Sequence, residues 1–174
     1  MRLFAAILAF ALVGCATTSA PVTGELSARI SAPVAPSTDR GLIHLSQHTS
    51  ASLYVPASYL SDHPAPFLLL LHGASGRGDN MIRKFKDEAD RRGIILLAPD
   101  SEGNTWDVAL TYGNSRQAPH FGNDAVRVDA ALSQTFARYA IDPRHAGIAG
   151  FSDGAGYALS LGVKNSRLFP SIMA

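Results

Sequence analysis

Apolar residues along this chain come in two kinds of block: runs of about five, and longer stretches in which they recur every three or four positions. Leu42–Gln47 and Ala51–Val55 alternate in part, are separated by polar residues and stop at Pro56, which predicts an antiparallel pair of strands. Phe67–Leu71 is continuous, with Pro64 and Pro66 before it and Gly73 after it, the pattern of a strand buried on both faces. Asn80–Arg92 has helical spacing, with Met81, Phe85 and Ala89 on one side and Gly93 as the stop. Ile94–Ala98 is the next buried strand. A helix follows from Asn123 or Asp124, with Val126, Ala130, Leu132, Phe136 and Ala140 as its apolar positions and Asp142-Pro143 beyond its end. His145–Ala149 then reads as a strand, Gly150–Gly154 as a turn, Ala155–Val163 as a helix, Asn165-Ser166 as a break and Ser171–Ala174 as the start of a strand.

Strands that alternate with helices from Phe67 onward imply right-handed crossovers and a mostly parallel sheet with helices on both faces, with the antiparallel pair at the front. The expected class is α/β. Pro99–Gly122 is a long connection with no clear period, and it contains Trp106, Tyr112, His120 and Phe121.

The first residues belong to a different pattern. Arg2 precedes an apolar stretch, Leu3–Val13, that is too short to span a bilayer, which is the build of a targeting segment rather than of a core element. It closes with Leu12-Val13-Gly14-Cys15, which resembles the lipobox of bacterial lipoproteins, in which the cysteine thiol receives the lipid. Cys15 is also the only cysteine, so neither a disulfide framework nor a thiol catalyst is in view. The resemblance implies a signal peptide over residues 1–14, lipidation at Cys15 and residence in a bacterial cell envelope. Ala16 rather than Asp follows the cysteine, so by the sorting rules of such lipoproteins the outer membrane is favoured. Residues 15–40 are rich in Ala, Ser, Thr and Pro and poor in large apolar side chains, which predicts a flexible tether ahead of a domain over 41–174.

Composition narrows the function classes. The chain has 174 residues, enough for one domain with a sizeable core, and 47% hydrophobic against 17% charged residues is the balance of a folded protein. Fifteen Lys and Arg against fourteen Asp and Glu, with no basic run, give no reason to expect a nucleic-acid partner. His44, His48 and His63 form no convincing ligand set with Cys, Asp or Glu, so no metal is expected. Gly73, Gly76 and Gly78 match neither G-x-G-x-x-G nor a P-loop, so no nucleotide is expected either.

The residues that carry chemistry are Gly150-Phe151-Ser152-Asp153-Gly154. This G-x-S-x-G sits between an expected strand and an expected helix of small residues, the strand–turn–helix setting that a nucleophile elbow requires. Gly150 and Gly154 let strand and helix approach closely, and Ser152 comes to lie at a helix N-terminus, where free N–H groups favour developing negative charge. The N–H of Asp153 is then one candidate oxyanion donor. A second is expected from His72-Gly73-Ala74-Ser75-Gly76, at Ala74, with Gly73 and Ser75 as near alternatives.

Together with Leu70-Leu71-His72-Gly73 and the helix running into Ile141-Asp142-Pro143-Arg144, this signature resembles the α/β-hydrolase superfamily, in particular the phospholipase/carboxylesterase and polyhydroxybutyrate-depolymerase-like serine esterases. The resemblance covers roughly residues 67–174. It implies hydrolysis of small-molecule or oligomeric esters through an acyl-serine intermediate, without a cofactor. In that fold Ser is followed by Asp or Glu and then His, yet no Asp, Glu or His follows Asp153. The residues therefore read as the N-terminal portion of such a domain, incomplete at its C-terminus and inactive as it stands. The alternative is a non-catalytic, membrane-tethered binding or scaffold protein on the same fold.

Overall fold

The computed structural model describes residues 23–45, 49–108 and 120–174, so Cys15 and the expected signal peptide lie outside the described residues. Six strands, β1 (Gly41–Leu45), β2 (Ala51–Val55), β3 (Ala65–Leu71), β4 (Ile95–Pro99), β5 (Ile141–Gly150) and β6 (Ser171–Met173), form one sheet in the order β1-β2-β4-β3-β5-β6. β1 and β2 pair antiparallel, β2 joins β4 antiparallel, and β3, β4, β5 and β6 run parallel. Three helices connect the parallel strands: α1 (Gly78–Arg92), α2 (Asn123–Arg138) and α3 (Asp153–Lys164). None of the described helices is long and apolar enough to cross a membrane.

The sheet separates two cores. On one face α1 places Met81, Ile82 and Ala89 against Leu70, Leu96 and Ala98. On the other, α2 and α3 cover Leu53, Phe67, Leu69, Leu71, Ile95, Leu97 and Ile148 with Val128, Leu132, Phe136, Tyr157 and Leu161. Continuous apolar runs suit β3 and β4 because each is covered on both sides.

Two helical faces differ from the simple periodic reading. In α2 the buried stripe runs through Ala125, Val128, Ala131, Leu132, Thr135 and Phe136, which turns Val126 out to solvent. Phe85 of α1 is likewise exposed, one turn beyond Met81. β5 starts earlier than expected, at Ile141, and is irregular there: Ala65 pairs with Ile141 but Phe67 pairs with Ala146. Residues 142–145 occupy that irregularity, where Asp142 accepts hydrogen bonds from Arg144 and contacts His145, and these partners hold its carboxyl well below the usual carboxylate range.

Residues 23–40 depart from the flexible tether that composition suggests. Leu26 and Ala28 are buried, and the backbone around them is held by side chains of the helical layer. Asp129 of α2 accepts the N–H of Ser27 and of Ala28 and the hydroxyl of Ser27. Asn165, just past α3, accepts the N–H of Leu26 and donates to Gly24 O. Further on, Ser37 N–H donates to Arg138 O and Asp39 pairs with Arg138. Alternation of Leu26 and Ala28 with polar neighbours, rather than total apolar content, is what lets this strap bury one side of an extended segment.

Candidate active site

β5 delivers the chain to the elbow and α3 takes it away. Phe151 N–H donates to Leu71 O at 3.1 Å, continuing the β5–β3 pairing one residue past the strand. Ser152 then adopts φ 54°, ψ −119°, a left-handed conformation that a residue with a Cβ rarely adopts, and the turn closes through Gly154 N–H to Phe151 O (3.0 Å) and Ala155 N–H to Ser152 O (2.9 Å). The result is an exposed serine lifted off the end of the sheet at the start of a twelve-residue helix.

The flanking glycines are forced by contact. A Cβ on Gly150 would lie 2.0 Å from Gly154 O, and one on Gly154 would lie 2.4 Å from both Leu71 O and His72 O. Helix α3 therefore rests backbone to backbone on the end of β3, as the sequence pattern implies.

The loop after β3 comes to the same place. A Cβ on Gly73 would sit 3.1 Å from Ser152 Cβ, so this loop borders the serine. Ser75 has φ 56° and spends its N–H on Asn104 O at 2.6 Å, and Gly76 N–H donates to Gly73 O. Among the described residues the N–H groups of Ala74 and Asp153 donate to nothing, and neither does the hydroxyl of Ser152.

His72 is buried and both ring nitrogens are engaged. Nε2 accepts the N–H of Ser101 at 3.1 Å, which leaves Nδ1 to carry the proton that it donates to Gly73 O at 2.7 Å. The imidazole thus braces the loop and offers no lone pair to Ser152. Asp100 is equally occupied: it accepts Gly78 N–H at 2.7 Å at the start of α1, the Ser50 hydroxyl and the Arg77 guanidinium, so it caps α1 across a loop instead of facing a ligand.

Beneath the elbow lies an aromatic stack that draws on the long connection before α2. Trp106 is fully buried, its ring lies over Tyr157 of α3 at 4.9 Å and 18°, and its Nε1–H donates to His72 O at 2.7 Å. Asp107 and Asp124 lock the neighbouring segment in a reciprocal clasp. Asp107 Oδ2 accepts the N–H groups of Gly122 and Asp124, while Asp124 accepts those of Glu102 and Asp107. The cap on α2 therefore comes from Asp107, and Asp124 ties down the loop. Burial, and then the charge of Asp124, push the Asp107 carboxyl above its ordinary value. Burial first, then both carboxylates, hold the Tyr157 phenol far above its usual range. His120 is exposed beside buried Phe121. No cluster of three or more His, Cys, Asp or Glu among the described residues could hold a metal ion.

The described chain superposes on known structures. An acetyl xylan esterase from Aspergillus awamori superposes with a TM-score of 0.59 over 74% of this chain and 49% of its own length, at 21% identity. The fold is that of the α/β-hydrolases. A poly(3-hydroxybutyrate) depolymerase from Bordetella parapertussis shares this hydrolase fold with a TM-score of 0.53 and 22% identity, over 70% of this chain and 43% of that one. In sequence, a poly(3-hydroxybutyrate) depolymerase from Ralstonia pickettii is 34% identical over 108 residues. Those residues are 59% of this chain but only 21% of the depolymerase. No family model matches.

Proposed function

We propose that this hydrolase fold belongs to a serine carboxylic-ester hydrolase in which Ser152 is the nucleophile. The observation that carries the reading is the left-handed Ser152 at the β5–α3 junction, with two uncommitted backbone N–H groups close to it in the fold, that of Asp153 next in the chain and that of Ala74 in the loop whose Gly73 borders the serine. In the reaction Oγ attacks the ester carbonyl carbon, its proton passes to a base, and the C=O electrons move onto oxygen. The Asp153 and Ala74 N–H groups receive that oxyanion. Collapse expels the alcohol and leaves an acyl-serine, which water hydrolyses. No described residue places a base on Oγ. Similarity to depolymerases and an acetyl xylan esterase supports ester substrates, polymeric or small. With the full-length protein, p-nitrophenyl ester turnover and fluorophosphonate labelling are expected, both lost in Ser152→Ala; turnover that survives the substitution would refute the assignment.

We also propose, on the N-terminal sequence alone, that the protein is held at a bacterial membrane, the outer membrane by the Cys15-Ala16 rule, through lipid on Cys15. The support is Leu12-Val13-Gly14-Cys15 after an apolar stretch headed by Arg2. Labelled palmitate should enter the wild-type chain in cells and not the Cys15→Ser variant.

A further inference from the structure

The two candidate oxyanion donors sit on parts of the chain far apart in sequence, the loop after β3 and the first residue of α3. Oxyanion stabilisation needs both N–H groups within about 2.7–3.1 Å of one developing charge, so whatever fixes their separation sets the rate. Three consecutive residues span that separation. Asn104 O accepts Ser75 N–H at 2.6 Å, Thr105 Oγ1 donates to Asp153 Oδ2 at 2.5 Å, and Trp106 Nε1–H donates to His72 O at 2.7 Å while its ring stacks on Tyr157, one helical turn along from Asp153. Asn104 and the Trp106 N–H hold the loop. Thr105 and the Trp106 ring hold the helix.

We propose that segment 104–106 is a staple that fixes the two oxyanion donors relative to one another, with Thr105 as a positioning residue for the reaction. This rests on the serine-esterase reading. Thr105 acts through Asp153, whose backbone N–H is the donor and whose carboxylate stands at the start of α3. The N–H groups of Gly154, Ala155 and Gly156 are already spent on Phe151 O and Ser152 O, so the uncommitted N–H of this turn is that of Asp153 itself. A carboxylate released there would be drawn toward the positive end of α3, crowding that N–H and repelling the oxyanion it is to receive. The Thr105 hydroxyl holds that carboxylate on the loop side, and a threonine hydroxyl suits the task because it donates without adding a second charge.

Thr105→Val removes the donor at nearly constant shape, and Thr105→Ser retains it. In the full-length enzyme Thr105→Val should lower kcat about 10-fold or more, a fraction of the roughly 10²–10³ that follows loss of a whole oxyanion donor. KM should stay within about twofold, and a boronic acid that forms a tetrahedral adduct at the serine should bind more weakly by a factor similar to the loss in kcat/KM. Thr105→Ser should restore both. In an Asp153→Asn background, where no carboxylate can compete, the effect of Thr105→Val should shrink. Amide exchange supplies a readout independent of turnover: Thr105→Val should speed exchange across 72–76 and 152–156 and leave β3 and β4 unchanged. Equal kcat in wild type and Thr105→Val, an equal loss in the Ser and Val variants, or unchanged exchange in both segments would overturn the staple. Loss of turnover in the wild type with altered exchange in Thr105→Val would refute the esterase reading and leave the staple standing.

Discussion

Asp129 Oδ1 accepts the backbone N–H of Ala28 at 2.8 Å, and the same carboxylate holds Ser27 through both its N–H and its hydroxyl. One side chain of α2 therefore ties the strap to the helical layer. Hydrogen bonds to charged groups are worth about 1.5–3 kcal/mol each when buried, and these are partly exposed. Asp129→Ala is expected to cost about 2 kcal/mol in urea unfolding and to open residues 29–36 to limited proteolysis. Unchanged cleavage would show that Leu26 and Ala28 hold the strap without it.

Ser152 sits in a conformation that costs of order 1–3 kcal/mol for a residue with a Cβ. Glycine relieves this strain but is disfavoured by the greater freedom of the unfolded chain, about 0.5–1 kcal/mol. Ser152→Gly should thus raise stability by about 1 kcal/mol while abolishing fluorophosphonate labelling. A lower Tm for this variant would argue against strain at the elbow.

The two glycines of α3 that contact the sheet should respond differently to alanine. At Gly154 the new Cβ meets carbonyl oxygens of β3 and His72 at 2.4 Å, and backbone cannot move aside cheaply. At Gly162 it meets side-chain carbons of Ile148 and Ile172 at 2.9 Å, which can rotate. Expected losses in denaturant unfolding are about 3 kcal/mol or more for Gly154→Ala and about 1 kcal/mol for Gly162→Ala.

Asp107 gives the fold a pH dependence of definite sign. Its folded-state carboxyl is raised above the ordinary value of 3.8, so the native state holds this proton more tightly than the unfolded chain does. The contribution is fully present below the ordinary value and is lost as pH rises through the raised one. Asp107→Asn keeps an acceptor for Gly122 and Asp124 N–H and removes the titration. Unfolding free energy against pH, upward from about pH 4, should fall less steeply in the variant than in wild type.

The alternating strands and helices were legible because the central strands β3 and β4 are covered on two faces and each connecting helix on one, which imposes distinct periods on Phe67–Leu71 and on 123–138. The elbow was legible for a related reason: glycines at 150 and 154 are demanded by backbone contact, and such demands leave letters in the sequence. Side-chain ties between distant segments leave none. Nothing in the periodicity singles out Asp129, and Asn165 reads only as a helix break, yet both hold the strap, while composition alone makes 23–40 read as a tether. Likewise Thr105 and Asp107 sat in a loop without period, and only the fold brings them to Asp153 and Asp124. Asp142-Pro143 lies inside β5 rather than at the helix end: α2 stops at Arg138, short of Ala140, and the irregular start of β5 could not be read from the pair.

The strap also gives the molecule a direction. Asn165 holds Gly24 and Leu26 at one end of α3, while Ser152 stands at the other, about 18 Å away for a helix of this length. The two ends of one helix are thus given to separate tasks, the far end to anchoring the preceding segment and the near end to presenting the serine, so disturbance of the strap should reach the elbow through the length of α3.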